Sequence, residues 1–559
     1  MPTDPPPNVL PPEHIPILII GAGPVGLSLA IELRLFNIKV LVVDREAEII
    51  NSHPKGRAND LRTLEHYRRW GVSDELHRLA WKTRNPNQKV VITNSIVEPP
   101  LGAYPLRLGR HVDESRDYAA EPSFSVPQAI TMRVLQKKAV ELGAIVLRGW
   151  EAESIHQQDD DDDEKDEEKS VITRLRSPTG TIFSISSEYV VGCDGPDSLV
   201  RTTAGISRRG IGPTSRSVSY VVRSEGYKIG DLISSPAYDS LGFLMVLSSK
   251  ASTIISIPDD EHWGFSFEIP DEAPNPTDEE IQRHGRDVLG VDIPLSIVSS
   301  SSYRVFTRVA LSYRKDRLFV AGDAAHLCPP TGGHNMNVGI GDAVNLAWKL
   351  AGVVQGWGGE KLLQSYDIER RSVGNLVTDA AFNNHTAMEK ATDIFRNLPP
   401  LDPNASSEER FNRGDVAYQI TYPQWNSFGV VLGQRYEESS LTIRGEWTAP
   451  PYSGSEYWHY ASPGHRAPHV WLDDQSPLLD HFGKYFTLLD IEASEEQVAR
   501  FLKAAADVGL PITHLKVSAA VARKRYPVEI TIIRPDQYIS WQGNECSNPA
   551  SVVDTVRGI

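Results

Sequence analysis

Residues 17–26, ILIIGAGPVG, decide how the rest of the chain is read. Ile17 to Ile20 form an unbroken apolar run of β-forming residues, the pattern of a strand buried on both faces. Glycines at 21, 23 and 26 follow at once. In that spacing Gly21 permits a tight turn, Gly23 lets backbone N–H groups approach a pyrophosphate, and Gly26 allows close helix–strand packing. Pro24 and Val25 open a helix that continues through Leu27, Ala30, Ile31 and Leu33. A phosphate would then sit on a helix N-terminus, where free N–H groups and the dipole favour an anion. Asn37 fits the helix end, because Asn tolerates the left-handed conformation. A second apolar run, Val40 to Val43, ends in Asp44, about twenty residues past the glycines, where a carboxylate accepts ribose hydroxyls. Arg45 adjoins it as a further cofactor contact. At this point NAD and FAD fit equally well.

Two later segments repeat the pattern of an apolar run ending in a Gly/Asp turn. Ser184 to Val191 lead into Gly192-Cys193-Asp194-Gly195, followed by Ser198, Val200 and Arg201. Leu318 to Ala321 lead into Gly322-Asp323-Ala324-Ala325-His326, then Pro329, Pro330, Gly332 and Gly333. A helix is expected from about Met336 through Ala351, its free N–H groups suited to negative charge on a flavin's pyrimidine ring. Asp323 at a strand end can accept from a ribityl hydroxyl. Singly these dipeptides are turn signals only; the ordered set points to one FAD gripped by distant parts of the chain. No second G-x-G-x-x-G follows a strand, so no separate nicotinamide domain is expected.

With the first segment they resemble the class A flavoprotein aromatic hydroxylases, the family of para-hydroxybenzoate hydroxylase and phenol hydroxylase, over roughly residues 15 to 380. Arg62-Thr63-Leu64-Glu65 before Trp70-Gly71, and Val126-Pro127-Gln128 before Leu135, match further pieces. The resemblance implies cofactor contacts at Arg62, Gln128, Asp194, Asp323, Gly333, Asn335, Met336 and Asn337, besides the first glycine segment. It also implies FAD as cofactor, NADPH or NADH and O₂ as co-substrates, and a flavin C4a-hydroperoxide that hydroxylates a phenolic or polyketide-type ring. Where relatives carry Gly-Gly-Gln-Gly-Met-Asn, this chain has Gly332-Gly333-His334-Asn335-Met336-Asn337. The departure is either loop variation or tuning by His334, a side chain type that titrates near neutrality. The ring-activating base is open between His53, Arg57, Asp60 and Arg62; Asp60, His334 and the Pro330 carbonyl are the catalytic candidates. A Baeyer–Villiger or epoxidising outcome uses the same flavin chemistry. A flavin-dependent halogenase is an alternative, weakly echoed by Phe265-Ser266-Phe267-Glu268-Ile269-Pro270, and a non-catalytic flavin-binding escort protein is another.

The implied fold is α/β: a Rossmann-like FAD domain (residues 1–210 and 305–395) interrupted by an antiparallel substrate sheet (211–304), where short alternating segments recur. A helical connection spans 396–453. Residues 454–559, with Arg534-Pro535-Asp536-Gln537-Tyr538, resemble the thioredoxin-like extension of phenol hydroxylase. That unit lacks a C-x-x-C pair, so it is expected to be structural or dimer-supporting, which admits a homodimer.

Composition removes other classes. The chain has 559 residues, and 57 Lys and Arg against 73 Asp and Glu give a net charge of −16, which disfavours a nucleic-acid surface. Much of that charge lies between Asp159 and Glu168, a self-repelling run expected in a solvated loop. Three scattered cysteines give neither a disulfide framework nor a metal or redox pair and suit a reducing, cytoplasmic compartment. No metal site is expected, neither H-E-x-x-H nor G-x-S-x-G occurs, and no apolar stretch suits a signal peptide or membrane span.

Overall fold

The computed structural model describes residues 10–50, 56–80, 88–107, 116–157, 170–232, 238, 241–255, 261–445 and 449–559. His53 and the acidic run at 159–168 lie outside the described residues.

The three apolar runs become parallel neighbours in one sheet. Its order is Arg314–Lys315, Leu318–Val320, Ile182–Gly192, His14–Ile20, Val40–Asp44 and Ile145–Arg148, with Val171–Arg176 and Glu151–Gln157 attached to one side. All but Arg314–Lys315 and the attached strands pair in parallel. The parallel runs are buried on both faces as the apolar reading required. Helices Pro24–Leu35 and Asn335–Val354 pack on one another, with Leu27, Ala30, Ile340 and Ala343 in one continuous core with the strands. Asn37 takes φ 62°, the left-handed turn expected after the first helix.

The substrate region departs from its expected bounds. One antiparallel sheet runs His262–Ile269, Arg208–Arg223, Ser296–Ala310 and His326–Leu327. Ser252–Ile255 and Leu241–Leu247 instead join Lys89–Thr93 and Gly102–Pro105. The pairing of Leu241–Leu247 with Lys89–Thr93 is parallel, so the insertion at 211–304 is completed by strands from before residue 106. Within 396–453, helices Ser407–Trp425 and Phe428–Leu432 form; Tyr418 and Trp425 cover this sheet with Tyr104 and Met245.

The last unit carries a four-stranded sheet, Ile512–Lys516, Phe486–Asp490, Ile530–Ile533 and Ile539–Gly543. Helices Glu495–Asp507 and Pro549–Val556 pack together beside it. It is fixed to the rest by buried charges. Arg534 donates to both carboxylate oxygens of Glu369 at 2.7 and 2.8 Å, and Lys349 donates to the same group at 2.7 Å. Asn345 donates to Asp536 at 3.0 Å. Among the described residues no helix is long and apolar enough to cross a membrane.

Candidate functional site

The C-terminal ends of the motif strands lie side by side. Ile20 is in register with Gly192 and Val43, and Gly192 with Val320. Cys193 N donates to Ile20 O at 2.7 Å and Ala321 N to Gly192 O at 2.9 Å, so the Asp-Gly and Gly-Asp corners meet the glycine segment directly. A cleft of about 1570 Å³ opens there, at the carboxyl edge of the sheet where open α/β folds bind ligands.

At one end it is lined by Gly23, Pro24 and Val25. A Cβ on Gly23 would meet nothing within 4 Å, whereas on Gly21 (φ 105°) it would lie 2.2 Å from Cys193 O, and on Gly26 1.9 Å from Gly21 O. Two of the glycines are therefore demanded by packing, and Gly23 alone leaves room for a ligand. Asp44 accepts from Ala22 N at 2.6 Å and Glu46 N at 2.8 Å, which holds the carboxylate against the turn. Arg45 is exposed beside Glu46. Asp194 does not line the cleft. One of its oxygens accepts from Val200 N at 3.3 Å, so it organises the Asp-Gly turn, and Arg201 ties that turn to Ala324 O at 3.3 Å.

In the middle of the cleft stand Asp323, Asn335, Met336, Gly333 and Pro330. Asn335 donates to Asp323 Oδ1 at 2.6 Å. The helix Asn335–Val354 begins without a side-chain cap, as does Pro24–Leu35, so both present free N–H groups toward the same cleft. Gln128 accepts from Gly56 N at 3.2 Å. Asn337 is spent on protein: it accepts from Asp60 N and Thr63 Oγ1 and donates to Ala58 O and Gly333 O. Its side chain staples two loops, and any cofactor contact from it falls to the backbone.

Two further expectations are corrected. Arg62 is buried away from the cleft, donating to Glu65 at 2.6 Å, Gln537 at 2.7 Å and Asp536 O at 2.6 Å. It anchors the C-terminal unit and is not placed to touch a cofactor. His334 is 4% exposed, and burial pushes its imidazole down to about 4, so it is neutral at pH 7 and does not titrate near neutrality. Its Nε2 is packed toward Gly332. Asp60 does line the cleft. Its carboxylate caps helix Leu61–Arg69 by accepting from Thr63 N at 2.8 Å, and burial raises it from 3.8 to about 6.

The far end is walled by the antiparallel sheet and the helices over it, with Phe243, Phe265, Tyr303, Trp425 and Met388 among rows of serines. The echo at 265–270 is a strand, His262–Ile269, stopped by Pro270. Missed from the sequence were Asp342 and Arg370, buried charges that brace the motif turns. The acid at 342, with Asn345 and Lys349 three and seven residues on in a largely apolar helix, was the available signal.

A cleft with open space over Gly23 in the glycine turn, and two uncapped helix ends facing it, fits FAD. Residues 14–381 match the FAD binding domain family, and residues 460–558 match the aromatic-ring hydroxylase C-terminal family. An FAD-dependent monooxygenase of Penicillium oxalicum, opdD, is 31% identical over 447 residues, covering 76% of this chain and 83% of the relative. Aklavinone 12-hydroxylase RdmE of Streptomyces purpurascens is 29% identical over 571 residues, covering 98% of each. The solved structure of RebC-10x, native and K252c-bound, superposes with TM-score 0.85 at 26% identity, covering 98% of this chain and all of that one. Motif convergence, cleft and matched domains agree: the chain belongs to the class A FAD-dependent aromatic-ring hydroxylases, a family of flavoprotein monooxygenases.

Proposed function

We propose that this monooxygenase hydroxylates a phenolic ring within a polyketide-sized aromatic, taking electrons from NADH or NADPH and one oxygen atom from O₂. The cleft carries the reading. At about 1570 Å³ it exceeds the roughly 300–1,000 Å³ typical of a single-ligand pocket, and its far wall is aromatic and hydroxyl-lined. That accommodates a dinucleotide and a multi-ring substrate end to end. Relatives named for polyketide-type substrates, aklavinone among them, support the same class.

Bound FAD supplies the oxygen-activating chemistry. The chain would hold it by the N-terminus of helix Pro24–Leu35 on the pyrophosphate, Asp44 toward the ribose, Asp323 with Asn335 on the ribityl chain, and helix Asn335–Val354 facing the pyrimidine edge. Gln128 and Met336 would flank the ring system. Pro330 lines the cleft, and its carbonyl accepts from Gly333 N at 3.0 Å, so it shapes the loop, with one lone pair left for a substrate. Asp60, with its carboxyl near 6, is poised to take a phenolic proton close to neutral pH. His334 is a neutral wall of the site. The aromatic wall of the sheet domain excludes water from the reacting ring.

The C-terminal unit we read as thioredoxin-like. A β-α-β step with parallel strands is followed by a hairpin and a helix, and Cys546 is the single cysteine there, so its work is structural. Three unpaired cysteines suit a cytoplasmic setting.

The test is stopped-flow reduction of the purified flavoprotein by NADH and by NADPH, with and without polycyclic phenols. Flavin reduction accelerated by such a phenol, with a hydroxylated product, is expected. A colourless protein that FAD does not reconstitute, or product formation only in the presence of chloride or bromide, would defeat the reading.

A further inference from the structure

Asp342 lies inside helix Asn335–Val354, fully buried and outside the cleft, yet a single carboxylate there gathers three donors. Its Oδ2 accepts from Gly322 N at 3.0 Å and from His326 Nε2 at 2.9 Å, and its Oδ1 accepts from Arg370 Nε at 2.7 Å. Both Oδ2 contacts lead to Asp323. Gly322 is its chain neighbour. His326 Nδ1 lies 3.3 Å from Asn335 Oδ1, to which it donates in the ring form that carries a proton on both nitrogens, and Asn335 in turn donates to Asp323 Oδ1 at 2.6 Å.

The turn has no slack. Gly322 sits at φ 60°, and a Cβ there would lie 2.9 Å from Val25; a Cβ on Gly339 would lie 3.1 Å from the Gly322 Cα. Arg370 fixes the far side, donating to Val338 O at 2.9 Å and to Tyr436 OH at 2.7 Å. Helix, turn and long helix Glu360–Asn397 are thus locked through one buried acid.

We propose that Asp342 and His326 are positioning residues for FAD, aiming the Asp323 carboxylate through the Gly322 backbone on one side and Asn335 on the other. The proposal rests on the reading of Asp323 as the ribityl-contacting residue. It concerns groups that the cofactor never touches, and it states why a buried acid is kept in an apolar helix: an aimed carboxylate binds better than a free one, because its orientation is settled before the ligand arrives.

The experiment measures FAD affinity of the apoprotein by fluorescence quenching, together with the flavin midpoint potential of the holoenzyme, for His326→Leu, Asp342→Asn, Asp323→Ala and the double variant of 326 and 323. His326→Leu keeps the ring's bulk and removes its hydrogen bonds, so it serves if Asp342→Asn does not fold. Expected is a loss of FAD affinity of about tenfold or more in His326→Leu, measured on apoprotein held well below its melting temperature, with a shifted potential that a loss of stability alone would not produce. In the Asp323→Ala background the His326 effect should largely vanish. Wild-type affinity in His326→Leu while Asp323→Ala is weakened overturns the relay and leaves the Asp323 reading standing. Wild-type affinity in Asp323→Ala overturns that reading and the relay with it. A His326 effect undiminished in the double variant also overturns the relay.

Discussion

A methyl group on Gly21 would be driven into the Cys193 carbonyl at 2.2 Å, while one on Gly23 would meet no protein atom within 4 Å. Two residues apart, the same substitution therefore separates folding from binding. Gly21→Ala should destabilise the protein by about 2–4 kcal/mol, since a positive φ and a backbone clash combine. Gly23→Ala should leave apoprotein stability within about 0.5 kcal/mol and weaken FAD by roughly tenfold, about 1.4 kcal/mol. Urea melts and FAD titration of the pair check this, and equal effects of the two on stability would contradict it. Asp60 gives a pH signature. Its folded carboxyl is raised from 3.8 to about 6 by burial, so the native state holds that proton more tightly than the unfolded chain. Its contribution to stability is present at low pH and is lost as pH rises from about 4 through about 6. Asp60→Asn, which keeps a capping side chain, should flatten that part of the stability profile, read from urea midpoints near pH 5 and near pH 7. His334→Gln should leave the pH dependence of activity unchanged between pH 6 and 8, because the imidazole is already neutral there.

Among the elements, the parallel strands and the two glycine- and asparagine-led helices were legible because each obeys a local rule: apolar runs without alternation, helical spacing, and turn residues at strand ends. Their sharing of one cleft was legible only as an ordered set of three motifs. The pairing of Leu241–Leu247 with Lys89–Thr93 was not, since register between strands some 150 residues apart is fixed by tertiary packing that no local pattern encodes. The buried charges were hidden for a related reason. Glu369, Arg534 and Lys349 look like surface residues one at a time, and only the fold reveals that each is enclosed with an opposite charge. Arg62 shows the cost of reading by resemblance alone: its place beside a matched segment suggested the cofactor, and its hydrogen bonds go to Gln537 and Asp536. Glu369→Gln should cost about 3–5 kcal/mol by leaving Lys349 enclosed without its carboxylate and Arg534 with Asp536 alone. Differential scanning calorimetry would show it, and a melting temperature equal to wild type would refute the account.

For the whole molecule, residues 454–559 are bonded into the FAD domain through Arg466 to Glu65, Gln537 to Arg62, and Arg534 to Glu369. Removing them should strip Glu65 of Arg466, Arg62 of Gln537 and Glu369 of Arg534, leaving only the Arg62–Glu65 and Lys349–Glu369 pairs, and abolish soluble expression even when FAD is supplied; a soluble, flavin-bound truncation would show the unit to be dispensable. FAD at a hundred times its dissociation constant should stabilise the intact protein by about 2.7 kcal/mol, visible as a higher melting temperature in the holoprotein. The order of strands also bears on how the chain is made. His14–Ile20 gains Val40–Asp44 as a neighbour early, but its other side is filled by Ile182–Gly192, which leaves the ribosome some 170 residues later, roughly 10–35 s at ordinary synthesis rates. For that interval a largely apolar strand presents an open edge. Yield from a heterologous host should therefore depend more on chaperone supply and translation speed than on the stability of the finished enzyme.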